Sequence, residues 1–126
     1  MKMKELFDRG EFVVSAEVGP PKGIHVDELV EEAKTYLKGV HAVNVTDNQS
    51  SVMRLGSLAM CKVLKDAGMD PIFQLACRDR NRIALESDLL SAAMLGIENI
   101  LCLTGDHTKM GDHPQAKPVF DLDSVS

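Results

Sequence analysis

The chain has 126 residues, 44% of them apolar and 26% charged, the make-up of one ordinary globular domain able to bury a core. A net charge of −5 without a basic stripe, a single Tyr and no Trp argue against a nucleic-acid partner, which calls for cationic patches and stacking rings. No apolar run approaches the roughly 20 residues of a membrane span, and three cysteines without CxxC spacing fit a reducing compartment, so the expected location is the cytoplasm.

In chain order, Met3 to Arg9 has the apolar spacing of a short helix stopped by Gly10 and placed to cover one end of a sheet, and the β-branched stretch Phe12 to Val18 reads as a first strand. Gly19-Pro20-Pro21-Lys22-Gly23 cannot continue a ladder and forms a stiff loop. A helix follows from about Val26, with Leu29, Val30, Ala33 and Leu37 on its apolar face. Ala42 to Thr46 is the second strand. Ser50 or Ser51 then caps a helix running to Ala67, where Gly68 closes it. Pro71 to Cys77 is the third strand, Arg80 to Leu95 the next helix before Gly96, and Asn99 to Thr104 the fourth strand. Beyond it lies a loop, His107 to Phe120, and then Asp121-Leu122-Asp123, which reads as the opening of a further helix and suggests a chain that ends before its fold does. Met53, Met60 and Met94 fall at helix-like positions and read as core filler.

Each strand breaks off into a polar cluster, at Glu17, Thr46, Cys77 and Asp106, which lie 29, 31 and 29 residues apart. About thirty residues is one strand-plus-helix unit of a parallel sheet, so the clusters emerge on one edge, where such folds keep their chemistry. Glu17, among apolar neighbours before a rigid turn, is placed for partial desolvation that favours the acid form and suits a general acid. Its plain alternative is a loop cap or a partner for Lys22. Thr104-Gly105-Asp106 offers a glycine for close backbone approach and a carboxylate acceptor, or is an ordinary strand-to-loop turn. Asp47-Asn48-Gln49-Ser50 binds a polar ligand or forms an Asx turn into the helix after it. The run Arg78 to Arg82 holds phosphate at a helix N-terminus or is a solvated face. His107 and His113 flank Asp112 at a separation that matches no common zinc pattern, so no metal is expected.

Taken together, S-A-E-V-G-P-P-K-G at 15–23, N-V-T-D-N at 44–48, Q-L-A-C-R-D-R-N-R at 74–82 and L-C-L-T-G-D at 101–106 resemble the first half of the methylenetetrahydrofolate reductase family. The resemblance covers almost the whole chain and implies a TIM-type (β/α)8 barrel, of which residues 1–126 supply about four units as an N-terminal half. It implies a flavin, FAD or alternatively FMN, at the mouth, and hydride transfer to methylenetetrahydrofolate to give 5-methyltetrahydrofolate in one-carbon and methionine metabolism. It implies that Glu17 protonates folate N10 so that the five-membered ring opens, and that Asp106 orients the folate and tunes the flavin. Thr46, Gln74, Leu103, Thr104 and Gly105, with Asp106, are implied to contact the flavin.

Val18-Gly19 stand where many members have aromatic residues, Gln74 where a histidine is common, and Thr104 where an arginine is common. These departures look like the branch found in anaerobic one-carbon metabolism, whose reductases work with a partner subunit, so the electron donor is NAD(P)H or such a subunit. A barrel takes about 250 residues. The expectation is therefore a missing second half or a homo-oligomer formed through the open strand edges, with a non-catalytic (βα)4 module that oligomerises and binds no flavin tightly as the alternative.

Overall fold

The protein is described from a computed structural model covering residues 2–126. Four parallel strands, β1 (Ser15–Val18), β2 (Ala42–Val45), β3 (Pro71–Ala76) and β4 (Asn99–Leu103), lie side by side in chain order. The crossovers are α2 (Asp27–Tyr36), α3 (Ser57–Asp66) and α4 (Arg82–Met94), preceded by a short α1 (Met3–Asp8). This is the expected alternation, consistent with four strand-led units of a TIM-type barrel.

Alternation along the strands separates two faces. Val18, Val43, Val45, Phe73 and Leu75 point toward the crossover helices and form one core with Val30, Ala33, Met60, Cys61, Leu64, Leu85 and Ala92. Burying each large side chain of this kind contributes about 1.5–3 kcal/mol. The predicted apolar face of α2 is found there, with Leu29 and Leu37 packed at its rim. On the opposite face run Ser15, Glu17, Asn44 and Gln74, with Glu17 opposite Asn44 in the register. Asn44 Nδ2 donates to Ser15 Oγ at 3.3 Å and Gln74 Nε2 donates to Asn44 Oδ1 at 3.2 Å, giving a polar ladder across three strands. As expected, α1 sits at the N-terminal end of the sheet, where the Met3 amide donates to Asn99 Oδ1 at 2.7 Å.

The ends of several elements differ from the sequence expectation, each for a visible reason. β1 starts at Ser15, since Phe12 is 88% exposed and ladder pairing begins at Ser15 opposite Ala42. α3 starts at Ser57 and not at Ser50 or Ser51, because Asn48, Ser50 and Ser51 all take left-handed φ values (46°, 57° and 60°) that break a helix. α4 starts at Arg82, with Asn81 Oδ1 accepting from the Ala84 amide at 3.0 Å as its cap. The helix expected from Asp121 does not form. Asp121 is engaged instead at the start of α4, accepting from the Arg82 amide at 3.0 Å and from Arg82 Nε at 2.8 Å, contacts that hold its carboxyl below the usual carboxylate range. Met60 is core, but Met53 and Met94 are exposed.

β1 and β4 are the two edges of the sheet, and Ile83, Leu90 and Met94 leave an apolar stripe exposed along α4. Among the described residues no helix is long and apolar enough to cross a membrane.

Candidate active site

The C-terminal ends of the strands surround a cleft of about 350 Å³. Glu17 enters it from β1, Thr46 from the end of β2 and Gln74 from β3, while Leu103 at the end of β4 and Thr104, Gly105 and Asp106 beyond it wall the other side. All seven residues singled out from the sequence therefore share one hollow, on the polar-ladder face and clear of the helix-packed core.

Glu17 is exposed in the cleft, so the desolvation expected from its apolar neighbours is not supplied. Those neighbours, Val18 above all, point through the sheet to the core face. The plain alternative fails as well, because Lys22 pairs with Asp112 at 2.9 Å. Glu17 thus stands at the cleft without a side-chain partner among the described residues.

Thr46 is buried, and its Oγ1 has no hydrogen-bond partner among the described residues. An unmet buried hydroxyl is costly, so this atom is ready to accept or donate to a ligand. Next to it Asp47 also borders the cleft, but its carboxylate is committed to protein partners. Its fully buried carboxylate accepts from the Ala76 amide at 2.8 Å and from Arg80 Nη1 at 2.6 Å. Burial disfavours the Arg80 charge, but the hydrogen bond and charge of Asp47, with Asp88 2.9 Å from Arg80 Nε, more than offset it. Asp47, Asn48, Gln49 and Ser50 all border the cleft, and Asn48 Oδ1 accepts from the Arg54 amide at 2.8 Å, which pins the loop to itself in place of a turn straight into a helix.

The arginine run divides in an unforeseen way. Arg82 lies at the surface paired with Asp121, Arg80 is paired with Asp47, and Arg78 is 2% exposed, so the run is a solvated face only in part and its three guanidiniums already have acidic partners. Arg78 Nε and Nη2 grip Asp79 at 2.9 and 2.7 Å, Nη1 donates to the Asp106 carbonyl and Nη2 to the Asn48 carbonyl, both at 3.3 Å. Gly105, at φ 94°, lies directly over it, and a Cβ there would come within 3.1 Å of Arg78 Cβ. Asp106 itself presents an exposed side chain to the cleft. The Thr104 hydroxyl is engaged, donating to Ser124 Oγ at 3.2 Å and accepting from the Ser124 amide at 3.1 Å. What Thr104 offers the cleft is backbone more than hydroxyl.

The loop after β4 is strapped over the neighbouring loops. Asp112 accepts from the Met53 amide at 3.0 Å, Lys22 Nζ lies 2.9 Å from its other oxygen, and His113 Nδ1 is 2.9 Å away. Gly111 packs so closely on the Ser51 carbonyl that a Cβ would overlap it. The Met53 amide, then Lys22 and His113, hold the Asp112 carboxyl well below its ordinary value. A carboxylate depressed in the folded state contributes fully above its unfolded pKa and loses that contribution as pH falls through the lower folded one. The strap should therefore stay latched from neutral pH down to about pH 4 and open only in stronger acid. Asp112→Ala should open it at neutral pH, seen as faster proteolysis within 107–119. Equal cleavage of variant and parent at pH 7 would refute the latch.

Among known proteins, the family model described as methylenetetrahydrofolate reductase matches residues 2–125, nearly the entire chain. No curated protein matches it.

Proposed function

The chain belongs to the methylenetetrahydrofolate reductase family, and from that premise we propose that it forms half of the mouth of a flavin-dependent enzyme reducing 5,10-methylenetetrahydrofolate to 5-methyltetrahydrofolate. The observation that carries the reading is the convergence of Glu17, Thr46, Gln74 and the 103–106 segment on one strand-end cleft. Its volume of about 350 Å³ is within the range of small-molecule sites. The unpartnered Thr46 Oγ1 fits a ligand with polar ring-edge atoms such as a flavin, FAD or FMN.

When bound, the flavin supplies a hydride to the folate. Thr46, Gln74 and the backbone of Leu103, Thr104 and Gly105 would hold the flavin, Thr46 through its free hydroxyl. Asp106 accepts hydrogen bonds from the pterin and places negative charge beside the reacting groups. Glu17 gives its proton to folate N10, which opens the five-membered ring. Reducing equivalents come from NAD(P)H or a partner electron-donor subunit, and the reaction belongs to the cytoplasm. The rest of the mouth is supplied by a second half or a second copy, meeting the open edges of β1 and β4.

Titration of the purified chain with FAD and with FMN tests this directly, and a bound flavin with a shifted visible band is expected. Thr46→Val should weaken uptake by about tenfold, the worth of one hydrogen bond. A chain that stays colourless with both flavins would sink the enzyme reading in favour of the non-catalytic (βα)4 module, the reading that the exposed sheet edges favour.

A further inference from the structure

Arg78 is a cation buried at the cleft, only 2% exposed, and neither the fold nor the proposed reaction asks for a cation there. A guanidinium taken out of water is costly unless its donors are met. Here they are met by three different segments: Asp79 beside it, the Asn48 carbonyl after β2 and the Asp106 carbonyl after β4. The Arg78 carbonyl also accepts from the Val119 amide at 2.7 Å, so one residue holds both ends of the strap, at Asp106 and at Val119. Gly105 lacks the side chain that would crowd Arg78 out from beneath the peptide before Asp106.

We propose that Arg78 is the positioning residue of the cleft: its planar fork fixes the distance between the Asn48 and Asp106 backbones and thereby the presentation of Asp106 to the ligand. Only the identity of that ligand rests on the reductase reading. Arginine suits the task because its donors diverge in one rigid plane. A lysine brings one ammonium that cannot span both carbonyls and Asp79 together, and a methionine fills the volume but removes the guanidinium donor from the Asp106 carbonyl and leaves the Asn48 carbonyl with the Ser51 amide, 2.9 Å away.

Hydrogen exchange followed by mass spectrometry on the parent chain, Arg78→Met and Arg78→Lys decides the matter. In Arg78→Met the amides of 48–51 and 104–108 should exchange about tenfold faster, the loss of one or two hydrogen bonds, while β2 and β3 amides keep their protection. Arg78→Lys should loosen the same segments and not restore them. If Arg78→Met does not fold, the lysine variant decides alone. Unchanged local exchange overturns the proposal, and so does acceleration spread evenly through the sheet, the mark of a merely structural residue. FAD titration supplies the second readout, with about tenfold weaker binding expected in Arg78→Met. Equal affinity of variant and parent would overturn the proposal. If the parent takes up no flavin, the reductase reading fails and the exchange data judge Arg78 by themselves.

Discussion

Replacing Glu17 by Gln is expected to slow folate reduction by at least about 100-fold while flavin reduction by its electron donor stays within about twofold. The amide keeps the shape of the carboxyl but has no proton to give to N10. The substitution is also clean in a way few catalytic substitutions are. Glu17 is exposed and has no side-chain partner among the described residues, so nothing in the fold rests on its charge. Stability should therefore move by less than about 0.5 kcal/mol. Rapid-mixing measurements of the two half-reactions, with the flavin-loaded protein, separate the steps. Equal loss in both would mean that Glu17 serves flavin binding or general integrity and not proton transfer.

The exposure of Glu17 carries a second consequence. Water must leave the cleft before a carboxylic acid there becomes an effective donor in a low-dielectric site. The four strands present here do not remove it, so occupation of the cleft and closure of the remaining mouth have to. Under the proposed reaction, catalysis would depend on groups brought to the same sheet edge from outside this set of strands, whereas the unpartnered Thr46 hydroxyl is already in place within it.

How much of this is legible in the sequence depends on the range of the interaction. Strand-end clusters at a period of about thirty residues report a local, repeated unit, and the positions of Glu17, Thr46, Gln74 and Asp106 on one edge follow from it. The apolar face of α2 was equally plain, since Leu29, Val30, Ala33 and Leu37 recur at helical spacing. Ser50 and Ser51 misled because capping chemistry and left-handed loop geometry use the same small polar residues, and only the Asn48 to Arg54 bond decides between them. Asp121 misleads for a related reason: it reads as the opening of a helix of its own, but its carboxylate accepts from the first amide of α4, 39 positions back. Arg78, Arg80 and Arg82 look alike in a row, yet one is buried, one pairs with a buried acid and one is paired at the surface. Only their long-range partners distinguish them, and single-sequence patterns do not carry that information.

The second large effect should come from Asp47, whose carboxylate is taken up by protein partners. Asp47→Ala is expected to destabilise the chain by about 3 kcal/mol, lowering the thermal midpoint by about 10 °C. Its side chain is 0% exposed and joins three elements, taking the Ala76 amide at the end of β3 and the Arg80 guanidinium before α4 from its own place after β2. Truncation leaves the Arg80 charge four-fifths buried with Asp88 as its remaining acid, and leaves the Ala76 amide without an acceptor. For a domain whose whole stability is about 5–15 kcal/mol, that is a large share. Asp47→Asn should lose less, since an amide oxygen still accepts from Ala76. Adding Arg80→Met to Asp47→Ala should recover part of the loss, because it removes a largely buried charge left with only the part-exposed Asp88 as its ion-pair partner. Denaturant unfolding of the three variants checks the scheme. A change under about 0.5 kcal/mol in Asp47→Ala, or full additivity in the double variant, would show that the buried pair does not hold these strand ends together. Because Asp47 follows Thr46 directly, the same substitution should also blur the Thr46 hydroxyl and weaken flavin uptake, while Glu17→Gln leaves uptake unchanged. That contrast separates the groups that shape the cleft from the group that acts in it.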